Sequence, residues 1–133
     1  MKNLILLATL TLFFSCSPSK KEELQNLKDE VIDIHDEVMP KMGELRRTRK
    51  DLLLQADSLM ETDTDRAAML TTVANEIADA NESMMQWMRA FEPEFEGTDE
   101  EIKKYMEDQK VSIQQVKEDM NSALAKGREV LED

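Results

Sequence analysis

The chain is poor in most of the residue types on which small-protein chemistry depends. Its 133 residues include one cysteine, one histidine, three glycines, three prolines and six aromatic side chains. One Cys and one His cannot build a Cys/His zinc site or an internal disulfide. So few glycines and prolines leave too few turns for an all-β protein. Positive charge is also short: 17 bases face 29 acids, for a net charge of −12. Nucleic-acid binding requires a basic surface, and this composition argues against it. No apolar run reaches the roughly 20 residues of a membrane-spanning helix. Catalytic motifs are missing too. There is no Gly-rich phosphate loop, no nucleophile elbow, and no second His to complete a zinc-protease helix after His35-Asp36-Glu37. Asp63-Thr64-Asp65 lacks the Gly and terminal Glu of a calcium loop. The expectation is a single non-enzymatic domain.

The chain does carry an address. Lys2 precedes an apolar segment from Leu4 to Phe14 that includes Thr9 and Thr11. It is too short to span a bilayer and reads as a secretory signal peptide over residues 1–15. Ser15-Cys16 closes that segment. A small residue directly before a Cys resembles a bacterial lipoprotein cleavage site, in the looser form found in Bacteroidota, with Phe13 where an aliphatic residue is usual. The thiol of Cys16 would then accept the lipid, and two or three acyl chains would anchor the protein to a membrane. Ser17, in place of Asp, favours the outer membrane over retention at the inner one, by the same resemblance. Residues 16–21 form the lipidated Cys and a short tether. Lys20-Lys21-Glu22-Glu23 resembles a surface-export signal, although a solvated helix start is the preferred account of it.

The remaining residues, 22–133, read as helical. Leu24, Val31, Val38, Leu45, Leu52 and Leu59 recur every seven residues, with Leu27 and Ile34 completing the first two heptads. Lys41, Thr48 and Gln55 then occupy the partner position, while Met42 and Ala56 take over one residue later. A stripe that shifts in this way suits a bundle better than a long two-stranded coiled coil. Pro40 predicts a kink near residues 36–40, or a division into two helices. Thr62-Asp63-Thr64-Asp65 stops one helix and caps the next. A second stripe runs Leu70, Val73, Ile77, Ala80, Met84, Trp87, Met88 and Phe91. Thr98 and Glu101 read as a capping box ahead of a third stripe from Ile102 to Val130. The predicted fold is all-α: an antiparallel three-helix bundle with helices near 22–61, 64–92 and 99–131 and a long first helix kinked near Pro40.

The methionines converge in this arrangement. Antiparallel packing about turns centred near residues 62 and 95 places His35, Met39, Met42, Met84, Met85, Met88 and Met106 in one layer beside Trp87. His35, Met39 and Met42 fall within ~60° of one another on their helix. Thioether and imidazole donors suit Cu(I), so His35, Met39, Met42, Met85, Met88 and Met106 are candidate ligands. Ordinary packing accounts for the same residues, because Met fills irregular space well, as beside a proline kink, and packs favourably on Trp. On that account no cofactor is expected.

The segments Ile34-His35-Asp36-Glu37-Val38-Met39-Pro40-Lys41-Met42-Gly43-Glu44-Leu45 and Met84-Met85-Gln86-Trp87-Met88-Arg89-Ala90-Phe91 resemble small lipoproteins of Flavobacteriia and related Bacteroidota. Those proteins often carry the automatic label "viral A-type inclusion protein". The resemblance extends over most of the mature chain and implies an address and a helical architecture, with no activity attached. The expected function is a lipid-anchored interaction or structural module of the bacterial envelope. It would be held to the membrane through Cys16 and would meet an envelope protein partner. The alternative is a Cu(I)-binding or delivery protein.

Overall fold

A computed structural model describes residues 19–132. The leader at 1–15, Cys16 and the tether before Ser19 lie outside the described residues. Regular structure in the described part is entirely helical: α1 (Lys20–Val38), α2 (Lys41–Leu59), α3 (Thr64–Ala90) and α4 (Asp99–Glu132). α1 and α2 are the two halves of a long first helix bent by 34°. Among the described residues no helix is long and apolar enough to cross a membrane.

Local chemistry sets each boundary. Ser19 is extended, and its hydroxyl accepts from the Glu22 amide at 3.3 Å while the Glu22 carboxylate accepts from the Ser19 amide at 2.7 Å. This reciprocal cap starts α1 at Lys20, two residues before the expected position, so Lys20 and Lys21 belong to the helix and not to the tether. The bend sits at Met39–Pro40. Met39 still donates to the His35 carbonyl at 2.8 Å. Pro40 has no N–H to offer Asp36, and Met42 closes a tighter turn on the Met39 carbonyl at 3.2 Å. The Leu59 carbonyl takes both Thr62 and Asp63 amides, and the Asp63 carboxylate then caps α3 by accepting from the Arg66 amide at 3.0 Å. α3 ends at Ala90, where Phe91 turns extended ahead of Pro93. Thr98 and Glu101 bond reciprocally at 2.8 and 3.3 Å and start α4.

The heptad residues meet in one core. Val31 and Val38 of α1, Leu45 and Leu52 of α2, Leu70, Val73, Ile77 and Met84 of α3, and Ile113 and Met120 of α4 are all fully or almost fully buried. α1 packs mainly on α4, whereas α2 packs on α3 and, to a lesser extent, on α4. Three helices crowd together at Gly127. A Cβ there would lie 2.7 Å from Ile77 Cδ1 and 2.8 Å from Thr48 Cγ2. Thr48, a polar residue in the stripe, is buried at this point with its methyl group toward α4.

Candidate functional site

The aromatic side chains of the described residues form one row with the only histidine. His35 of α1 stacks on Trp87 of α3, ring centroids 5.6 Å apart. Trp87 stacks on Phe91 at 4.7 Å, Phe91 on Tyr105 at 6.4 Å, and Tyr105 on Phe95 at 4.3 Å. The Tyr105 hydroxyl accepts from the Glu92 amide at 2.7 Å. Trp87 is buried, and its indole Nε1 has no hydrogen-bond partner. The i, i+4 spacing of Trp87 and Phe91 on one helix signals the centre of this row in the sequence. The joining of its ends through the 91–98 loop does not show there.

The row also sets the register between α3 and α4. Tyr105 meets Glu92, Lys126 meets Glu76 at 2.6 Å, and Arg66 meets the Val130 carbonyl. The level of Met84 and Met85 on α4 therefore lies near residues 112–118, about two to three helical turns from the expected 105–106. The simple hairpin assumed for the second turn fails because the 91–98 loop runs beside the first turns of α4, with Phe95 on Tyr105. Met106 consequently leaves the methionine layer. It lines a surface cavity of about 530 Å³ with Leu24, Pro93, Phe95 and Ile102, at the end of the molecule where α1 begins.

Of the candidate ligands, His35 is the one that meets Trp87 directly. Met42 and Met84 are buried in the core, with Met85 and Met88 half-buried against it. Met39 is 39% exposed. His35 is half-buried, and its Nδ1 lies 2.8 Å from the Asp36 carboxylate. A ring nitrogen facing a carboxylate carries the proton, so Nε2 is the nitrogen left with a lone pair in the neutral ring.

A second arrangement joins α1 to α4. Glu23 pairs with Lys103 at 2.6 Å, Glu30 with Lys110, and Glu37 with Lys117 at 2.5 Å. The partners are always 80 residues apart, and each rung lies seven residues beyond the last. Lys41 keeps the same separation on Asn121 at 2.6 Å; past the bend, Glu44 pairs with Arg128, 84 residues on. The hydrogen bond from Lys103 holds the Glu23 carboxyl below its usual range, and Glu23 in turn raises the Lys103 ammonium. Lys117 lowers Glu37 in the same way.

The net charge conceals a third feature, the run Arg46-Arg47-Thr48-Arg49-Lys50. Arg46, Arg47 and Lys50 are exposed on the outer face of α2. Comparison with family models, curated proteins and solved structures finds no match to this chain.

Proposed function

We propose that the chain is a lipid-anchored, non-enzymatic helical module of a bacterial envelope that works by binding another protein. The observation that carries this reading is Cys16, placed directly after a signal-like apolar segment and shortly before Ser19 caps the first helix. The outer membrane is the proposed destination. The proposed architecture is an antiparallel three-helix bundle. Its support is the numbering of partners: α1 and α4 keep a constant separation, as helices running the same way do. Between α3 and α4 the numbers change in opposite directions, from Glu92–Tyr105 to Glu76–Lys126 to Arg66–Val130. Labelling growing cells with palmitate should mark the protein, and a Cys16→Ser variant should lose the label while still folding. An unlabelled wild-type protein would reject the anchor.

A second reading, Cu(I) binding, is favoured by the hydrogen bond between His35 and Asp36. Metal-ligating histidines commonly hand their other ring nitrogen to a carboxylate, which fixes the ring and raises its basicity. Here that leaves Nε2 as the ring nitrogen available to a metal, with Met39 one helical turn on and Met88 next to Trp87, the ring on which His35 stacks; Met39, Met85 and Met88 are the candidate thioethers that are not fully buried. Met106, on the far side of the register shift, drops out of the set. Competition for Cu(I) against a chromogenic chelator tests the site. It should weaken in Met39→Leu/Met85→Leu, and an unchanged competition curve would end the copper reading.

A further inference from the structure

α2 concentrates positive charge in an acidic molecule. From residue 41 to residue 54 there are five bases, Lys41, Arg46, Arg47, Arg49 and Lys50, against two acids, Glu44 and Asp51. Among the described residues, nine lysines and arginines elsewhere pair with a carboxylate. Arg46, Arg47, Arg49 and Lys50 do not. In a chain with 29 acids, partners are in surplus, so these four are not unpaired for lack of carboxylates. The nearest acid upstream, Glu44, turns away to Arg128. Other bases without a carboxylate are scattered: Lys41 sits on Asn121, Arg66 on the Val130 carbonyl, and Lys21 at the start of α1.

Helical spacing organises the run. Arg46, Lys50 and Leu54 lie one turn apart on a single line, with Arg47 beside it. Leu54 is 60% exposed although it is a large apolar residue within α2. A row of cations ending in an exposed leucine therefore faces solvent. Arg49 stands at the edge of the row, half-buried, and its Nε lacks a hydrogen-bond partner.

We propose that this face of α2 is the docking surface for an acidic protein segment carrying an apolar side chain beside its carboxylates. The guanidinium groups of Arg46 and Arg47 present paired donors that match a carboxylate, Lys50 adds a point charge, and the apolar side chain covers Leu54. Arg is among the residues that most often dominate binding energy at protein interfaces. The local character of the patch selects a segment over an extended anionic surface. Exposed charges are screened beyond about 8 Å at physiological salt, so a short segment responds to the local excess of positive charge. A membrane or polyanion would also meet the surplus negative charge of the rest of the molecule. The inference rests on the interaction-module reading but not on the anchor, so palmitate labelling and the test below fail separately.

The test presents the full chain to a random peptide-display library and measures the affinity of selected peptides. Enrichment should yield peptides rich in Asp and Glu with one or more large apolar residues. Their affinity should fall about tenfold or more in Arg46→Gln/Arg47→Gln/Lys50→Gln, and less in Leu54→Ser. It should also fall as salt is raised to about 0.5 M. All four positions are solvent-facing, and circular dichroism should report unchanged helix content. Lys104→Gln, which removes a cation bonded to Asp108 on α4, should bind as the wild type does. No enrichment, enrichment of neutral or basic peptides, or an affinity untouched by the triple substitution overturns the proposal. So does tighter binding to phosphatidylglycerol vesicles than to the selected peptides, if the triple substitution abolishes it; the surface would then belong to lipid. Self-association in sedimentation that the same substitutions abolish would assign it to a second copy and overturn it as well.

Discussion

α1 and α2 have the same length, 19 residues each, and belong to one bent helix, yet they are held by different forces. α2 buries Met42, Leu45, Thr48, Leu52 and Ala56, with Thr48 and Leu52 set against α3 and α4 at Gly127. α1 buries only Val31 and Val38 and lies along α4 behind a ladder of exposed carboxylate–ammonium pairs. Apolar burial contributes about 25 cal/mol per Å², whereas solvent-exposed ion pairs contribute little. One continuous stripe in the sequence thus becomes a half that is integral to the core and a half that is latched to its side. Local opening should begin with α1, the element with fewer buried apolar contacts.

Core truncation in each half gives the largest expected effects. Leu52 has no exposed surface and sits within 3.6 Å of the position a Gly127 Cβ would take. Leu52→Ala should cost about 2–5 kcal/mol and lower the urea midpoint of the whole molecule. Val31→Ala removes two buried carbons, roughly 1.5–2 kcal/mol. Its effect should appear first as lost hydrogen-exchange protection confined to α1. The contrast breaks if the two variants unfold the protein in the same cooperative step with equal loss.

The two glycines nearest α2 sharpen the same contrast on a smaller scale. A Cβ on Gly43 would meet only Arg47 Nη1, at an ordinary 3.6 Å. Gly43→Ala should therefore stabilise by about 0.5–1 kcal/mol through helix propensity alone. Gly127→Ala gains the same propensity but forces contacts of 2.7 and 2.8 Å on Ile77 and Thr48. Overpacking of this kind costs roughly 1–3 kcal/mol, so the net change should be a loss of about 1 kcal/mol. Ile77 can swing its terminal methyl, whereas the Thr48 methyl is fixed close to the backbone. Thr48→Ser, which deletes that methyl, should recover most of the loss, and thermal denaturation of the double variant decides the point. A Gly127→Ala protein more stable than wild type would show that the three helices do not meet as closely as described.

Periodicity made the helices and most of their buried faces legible, because burial of a stripe is a local property of the sequence. Pro40 likewise announced the bend, since the missing N–H acts within one turn. The register between α3 and α4 was not legible. It depends on where the 91–98 loop lies, and that is settled by Phe91, Phe95 and Tyr105 stacking across the loop. The cost fell on the candidate site. His35 and Trp87 meet, but Met106 lies about two to three turns from the level assigned to it. The α1–α4 ladder was hidden for a related reason: its rungs join residues 80 positions apart, and nothing in either segment alone pairs Glu23 with Lys103. The basic row on α2 was masked by a total charge that averages over faces.

The ladder offers the mildest way to separate the two halves. The carboxyls of Glu23 and Glu37 are held below their ordinary value of 4.5 by hydrogen bonds from Lys103 and Lys117. A group whose pKa is depressed in the folded state adds stability above its unfolded value and loses it as pH falls through the folded one. The Lys103 ammonium is raised above 10.5, so its contribution is complete below that value and disappears as pH climbs past the raised one. The latch is therefore intact between these limits and loosens in acid, beginning near pH 4.5 and continuing below it. Protection factors of α1 amides should fall in that window, and again with added salt, before those of α2 fall. Because the pairs are exposed, the change should be small against either core truncation. Glu23→Gln/Glu37→Gln should remove the ladder's part of the acid response of α1, leaving the part due to Glu22, whose carboxyl the Ser19 cap also holds below its usual range, and leaving α2 as it was. Parallel loss of protection in both halves through the same window would mean that α1 is integral to the core and that the ladder is only decoration on it.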